Sequence, residues 1–266
     1  MMSLNTKSHS QPATQGGPSS TVGELQTTVD LSMLPPEMVV AIDGVSTITR
    51  KPIGELVAQA LGAVLADSGR FYRSLTKSCL EASLDLTDFT AVSRHCQEAR
   101  LDVWVRPTGG PVDEALVFVN GDLFNHDELA AVHADTVKVA VTPGARHQVM
   151  GALRQLERGR RLVVLGRDIA DKVFPWTPFR IYVAPPARPL NAPKQEPDRP
   201  DLGDLFHQHP TPTIPVRLLD AIFIDADETS PAQACARILA ELPQQFRRRQ
   251  ELELARSGEP TWTNVQ

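Results

Sequence analysis

The sequence predicts an α/β fold, a mostly parallel β-sheet covered on both faces by helices, and three observations predict it. Short β-branched runs such as "MVVAID" from Met38, "RLVVLGRD" from Arg161, "FRIYVA" from Phe179 and "DAIFIDA" from Asp220 each end in polar or glycine residues. Segments of helical period separate them, as where Ile53, Leu56, Val57, Ala60 and Leu61 recur three and four residues apart. The runs are continuously apolar rather than alternating, which marks strands buried on both faces, and their alternation with helices gives a parallel sheet. At 266 residues with 41% apolar side chains, the chain is long enough for one such domain with residues to spare.

Taken in order, residues 1–36 are rich in Ser, Thr, Gln, Gly and Pro and lack the apolar side chains to offset the entropy of ordering, so a disordered tail is expected there. The domain is expected over 37–250. Its first strand, from Met38, delivers a loop at Asp43 and Gly44 that leads into the first helix, and "AVLADSG" gives a second strand. "LDVWVRP" and "EALVFVNGD" predict two strands joined through Gly109 and Gly110, a small antiparallel insert within about 100–141. Residues 185–215 hold nine prolines and almost no apolar periodicity, which predicts a loop rather than a helix. A second tail is expected over 257–266. There is no internal repeat.

A net charge of −5 and a pI near 5.8 offer no basic field for tracking a nucleic-acid backbone, and Arg247, Arg248 and Arg249 fall on what reads as a solvated terminal helix. Cys79, Cys96 and Cys235 are odd in number, far apart in sequence and without C-x-x-C spacing, against both a disulfide framework and a zinc site. No apolar run approaches membrane-spanning length and no signal pattern opens the chain. A cytoplasmic protein without nucleic-acid or membrane partners is expected.

In open α/β sheets ligands sit beyond the carboxyl ends of the strands. Asp43 to Arg50, Asp67 to Arg73 and Gly166 to Asp168 all occupy such ends. Singly, Arg73 reads equally as a surface helix residue, Asp168 as a helix cap and Arg146 as a solvated position.

Together, "AIDG" from Ala41, "LADSGRFYR" from Leu65, "TPGAR" from Thr142, "GRDIADKVFP" from Gly166 and the closing "DAIFIDADETSPAQACARIL" resemble the cytidylate kinase family in order and spacing. The resemblance runs from about Met38 to Leu242. It implies a three-layer P-loop NTPase-type parallel sheet flanked by helices, with the antiparallel insert binding a nucleoside monophosphate. The family activity is ATP and CMP or dCMP to ADP and the diphosphate, with Mg²⁺. Ser68 and Arg73 match the family's pair that holds the monophosphate, where a hydroxyl and a planar guanidinium suit phosphate oxygens. Arg146 and Asp168 match positions that read cytosine, and Arg167 matches an arginine near the transferring phosphate. Val137 stands where the family offers the base a serine, with Thr136 beside it as a substitute.

The donor side departs from that pattern. A phosphate-binding loop reads G-x-x-x-x-G-K-S/T, because glycines let backbone N–H groups curl around phosphate, the lysine bridges phosphates and the hydroxyl binds Mg²⁺. The distance from Gly44 to Ser68 equals the family's, so Gly44, Val45, Ser46, Thr47, Ile48, Thr49, Arg50 and Lys51 align without a gap. Thr49 takes the second glycine's place, Arg50 the lysine's and Lys51 the hydroxyl's, while Thr47 replaces a middle glycine. A β-branched residue held at positive φ is strained, so another backbone shape is expected. Leu165 replaces the acid before "GRD", and the proline-rich 185–215 stands in for the lid, its Arg188 and Arg199 outside the lid spacing.

Two readings follow. In the first, the chain keeps a CMP or dCMP pocket, binds ATP weakly or not at all, presents no metal-ligating residue for the Mg²⁺ that the resemblance implies, and is a non-catalytic binding or regulatory relative of the kinases. In the second, it is an active (d)CMP kinase in which Arg50 replaces the lysine, Arg167 assists transfer and Mg²⁺ is ligated by groups outside the family pattern.

Overall fold

The computed structural model describes residues 33–44, 46–184, 220–226 and 229–257. Its strands are β1 Met38–Gly44, β2 Val64–Asp67, β3 Leu101–Arg106, β4 Glu114–Val119, β5 Arg161–Gly166, β6 Phe179–Ala184 and β7 Ile222–Asp225. Its helices are α1 Thr47–Leu61, α2 Ser68–Glu81, α3 Phe89–Glu98, α4 His126–Ala131, α5 Thr136–Ala140, α6 Pro143–Leu156 and α7 Pro231–Ser257. The strands form one seven-stranded sheet in the order β3-β4-β2-β5-β1-β6-β7, parallel throughout except where β3 meets β4.

Strand periodicity explains the continuous apolar runs. Val39 and Ala41 face a core built with α2, α3 and α6, whereas Val40 and Ile42 face a second core built with α1 and α7. The sheet is thus the middle of three layers. Helix α1 contributes Ile53, Val57, Ala58 and Leu61 to the second core; Ala60 is exposed, so its buried stripe is narrower than the sequence pattern suggests. Gly54 lets α1 approach β5 closely, since a Cβ there would lie 2.5 Å from Leu165 Cδ2.

Several boundaries differ from expectation. Leu34 is only 4% exposed and joins the core with Met38, so ordered chain begins inside the stretch read as a tail. Helix α7 continues through Ser257, beyond the expected end at 250, because its i,i+4 pairs Arg237–Glu241 and Arg249–Glu253 carry the helical pattern onward. The hairpin β3–β4 is antiparallel as expected, from Leu101↔Val119 to Arg106↔Glu114. Strand β4 also adjoins β2 at Leu65↔Glu114, so the hairpin extends the main sheet. The remainder of both expected tails, Val45 and the proline-rich 185–215 lie outside the described residues.

Cys79 and Cys96, remote in sequence, bring their Sγ atoms to 3.7 Å between α2 and α3, both buried and reduced. No helix among the described residues is long and apolar enough to cross a membrane.

Candidate functional site

Because β1, β2, β5 and β6 are parallel, their carboxyl ends share one edge. Register makes the juxtaposition specific: Asp43 lies beside Gly166 on one side and Tyr182 on the other, and Asp67 lies beside Leu165. The three residue clusters anticipated at strand ends therefore meet in one place.

Helix α2 starts at this edge. Asp67 caps it by accepting from the Gly69 N–H at 3.0 Å, so Ser68 is the first helical residue. The buried Ser68 hydroxyl lies against the backbone of β5, for a Cβ on Gly166 would come within 2.8 Å of Ser68 Oγ. Arg73, on the second turn, donates to Asp67 Oδ2 at 3.2 Å. Helix α6 brings Arg146 from across the edge, positioned by Thr142, whose hydroxyl accepts from the Ala145 N–H, and by Pro143 in the first turn.

Arg146 donates to Asp168, and the two form an ion pair. Burial works against the Arg146 charge, but Asp168 and Tyr72 outweigh it and hold the guanidinium above its ordinary range. Tyr72 belongs to the same group: burial pushes its phenol up to about 12, with Arg146 pulling down and Asp168 pushing up. Arg167 is half-buried between Gly166 and Asp168. The bland alternatives for two of these positions do not describe what is found. Asp168 makes no side-chain cap to the π-helical turn Ile169–Val173, and Arg73 is held by a carboxylate rather than left to solvent. The Thr136 hydroxyl donates to the Val132 carbonyl at 2.9 Å, and Thr136 and Val137 are both buried.

Asp43 supports this edge from below. Its side chain, 3% exposed, accepts from the N–H groups of Ile169 at 2.7 Å and Ala170 at 2.9 Å, which fixes the turn that carries Arg167 and Asp168. Burial pushes its carboxyl up to about 6; the two backbone bonds oppose that, Asp168 adds to it, and Arg50 opposes it.

The described residues of the donor stretch pass directly from strand to helix. Strand β1 ends at Gly44 and α1 begins at Thr47, with Ser46 at the N-cap, so Thr47, Ile48, Thr49, Arg50 and Lys51 occupy the first turns of a helix. Thr47 and Thr49 lie within the helix, and among the described residues the non-glycine positions of positive φ are Ser83 and Asn120. Arg50 donates its first-turn N–H to Ser46 O at 3.3 Å, and Thr49 Oγ1 donates to the same carbonyl at 3.2 Å.

Arg50, aligned with the lysine of a phosphate loop, is 3% exposed and folds inward. Its Cδ lies 3.2 Å from where a Gly44 Cβ would be, Nη2 reaches Thr47 Oγ1 at 3.4 Å, and its charge acts on Asp43. Gly44 is needed for this approach, because a Cβ there would also fall 2.4 Å from the Val183 carbonyl oxygen. Lys51 points the other way, exposed and 3.6 Å from Glu55 Oε1 along α1.

These side chains do not fit a Mg²⁺-bound triphosphate. The hydroxyl ligand's place holds an ammonium, Leu165 is fully buried against α1, and both Asp43 oxygens already accept backbone N–H groups. Among the described residues no three His, Cys, Asp or Glu side chains converge as metal ligands.

Sequence reasoning passes over Asp43, Asp67 and Tyr72 as individual site members. Asp67 is legible as an N-cap before the helix, and Tyr72 as the i+4 neighbour of Ser68. Asp43's role depends on a turn 126 residues away.

Comparison with known proteins places these features in a family. The sequence model described as "Cytidylate kinase" matches residues 40–189. The chain is 33% identical over 153 residues to the cytidylate kinase of Mycobacterium avium (strain 104), covering 55% of this chain and 63% of that protein. It is 30% identical over 149 residues to that of Limosilactobacillus fermentum, covering 54% and 62%. With the cytidylate kinase of Roseiflexus castenholzii it shares 34% over 152 residues, covering 54% and 63%. The match thus spans less than two thirds of the relatives' length.

Proposed function

The chain belongs to the cytidylate kinase family, and from that premise we propose that it binds cytidine monophosphates, CMP or dCMP, and has lost phosphoryl transfer. In this reading Ser68 and Arg73 hold the phosphate, the Arg146–Asp168 pair reads the cytosine edge, and Arg167 adds charge beside them. A carboxylate can accept the exocyclic amine while a guanidinium serves the base carbonyl. The pairs Arg73–Asp67 and Arg146–Asp168 hold these groups in place before any ligand arrives, which reduces the ordering cost of binding.

The observation that carries this loss of catalysis is the inward burial of Arg50 in the first turn of a helix that starts at Thr47. Phosphoryl transfer is almost wholly positioning and charge stabilisation, and each electrostatic donor removed costs about 10²–10³ in rate. Here the cradle, the cation and the metal-binding hydroxyl are replaced together.

The test is a coupled ADP-release assay with CMP, dCMP and UMP beside calorimetric titration of each nucleotide. Binding of CMP or dCMP with ADP release at background is expected. Turnover in the roughly 1–100 s⁻¹ range usual for kinases would overturn the reading and favour an active enzyme with a divergent donor site.

A further inference from the structure

A second cationic group adjoins Ser68 and Arg73. Arg70 lies on the first turn of α2, three residues before Arg73, so the two guanidiniums project from the same face of the helix. Its ion-pair partner is Glu114, at the start of β4, and the separation is 4.0 Å. Glu114 is shared with Arg106, which stands closer at 3.4 Å and directly opposite in the β3–β4 register. Three arginines, Arg70, Arg73 and Arg106, thus face two carboxylates, Asp67 and Glu114.

Arg70 is the member left under-used. Its Nε–H is buried and has no hydrogen-bond partner among the described residues, and its ion-pair partner Glu114 is distant and shared with Arg106. A planar guanidinium with an unspent donor suits a tetrahedral oxyanion, which accepts forked bonds on two oxygens. Burial lowers the Arg70 pKa from its ordinary value, with Arg106 and Arg73 adding to the effect and Glu114 and Asp67 opposing it.

We propose that Arg70 is a second phosphate-binding guanidinium of the monophosphate site, held back by Glu114 until a phosphomonoester dianion engages it alongside Arg73. The proposal rests on the monophosphate-binding reading above. It makes the site selective for a terminal phosphomonoester over a nucleoside of the same base, and it assigns Glu114 the part of a competing anion.

Calorimetry of the full chain with CMP, cytidine and inorganic phosphate tests it. Arg70→Met should weaken CMP by about tenfold or more and leave cytidine unchanged, while Arg70→Lys should fall between. Glu114→Gln should bind CMP at least as tightly as wild type, because the competing carboxylate is gone. Should Arg70→Met not fold, the Arg70→Lys and Glu114→Gln pair decides the matter by their opposite signs. Arg70→Met binding CMP like wild type, or losing CMP and cytidine equally, overturns the proposal. So does a loss in Glu114→Gln equal to that in Arg70→Met, since Arg70 would then act only as scaffold. Wild type that binds inorganic phosphate through Arg70 but not CMP overturns the cytidine reading and keeps this one. Wild type that binds none of the probes overturns both.

Discussion

Arg146 on α6 and Asp168 at the end of β5, 22 residues apart in sequence, are joined as an ion pair at the edge where four parallel strands end. Both side chains remain more than a third accessible or close to it. Such a pair contributes little to folding, about 0–1 kcal/mol, and its arrangement bears on binding instead.

Asp168→Ala should therefore leave the melting temperature nearly unchanged and weaken CMP by tenfold or more, since a hydrogen bond to a charged group is worth about 1.5–3 kcal/mol. Calorimetry and a thermal melt on the same preparation separate the two effects. Equal CMP affinity in both proteins would remove Asp168 from the site.

If the helical start of α1 blocks the donor side, then Thr47→Gly, Thr49→Gly, Arg50→Lys and Lys51→Ser together should raise affinity for ATP·Mg²⁺. Each glycine costs the first turn about 1 kcal/mol of helix preference, which frees the backbone to wrap a phosphate. CMP kinase turnover should stay low, because Leu165 and the arginine-poor 185–215 are unchanged. Titration with a fluorescent ATP analogue reads the first effect and ADP release the second. A variant with no gain in ATP affinity would place the block elsewhere.

Asp43 predicts a pH dependence. Its carboxyl ionises at about 6 when folded, against roughly 3.9 in an unfolded chain. Between these values the folded state keeps a proton that the unfolded state has released, so stability falls as pH rises. The contribution is complete below about pH 4 and lost by about pH 6–7, an effect on the order of 2–3 kcal/mol. Asp43→Asn does not titrate. In urea melts the wild type should lose stability relative to this variant by about that amount between pH 4 and 7. A difference that does not change with pH would contradict the buried-carboxyl assignment.

Two glycines of α6 should respond oppositely to alanine. A Cβ on Gly144 would fall 1.9 Å from the Ser93 carbonyl oxygen of α3, and its N–H donates to Ser93 Oγ at 2.9 Å. Gly144→Ala must push the helices apart, at a cost of roughly 1–3 kcal/mol, and should also weaken CMP because Arg146 follows two residues later. At Gly151 a Cβ meets nothing within 4 Å, so Gly151→Ala should stabilise by up to about 1 kcal/mol. Chemical denaturation of the two variants against wild type checks both signs.

The layered architecture was legible in the chain because burial on both faces leaves continuous β-branched runs and burial on one face leaves a helical period, and both are local properties of sequence. The spacing from Gly44 to Ser68 is likewise a count of residues along the chain, and it is what sets Thr49, Arg50 and Lys51 opposite the phosphate-loop positions in the family resemblance. Where those side chains go was a tertiary matter. Arg50 turns inward because β6 presents Val183 against Gly44 and the neighbouring β1 residue Asp43 offers a buried negative charge. Arg70 is under-paired because β4 lies beside β2 and gives Glu114 to two arginines at once. A charged side chain goes where desolvation and distant partners balance best, and that balance exists only after strands far apart in the chain have met.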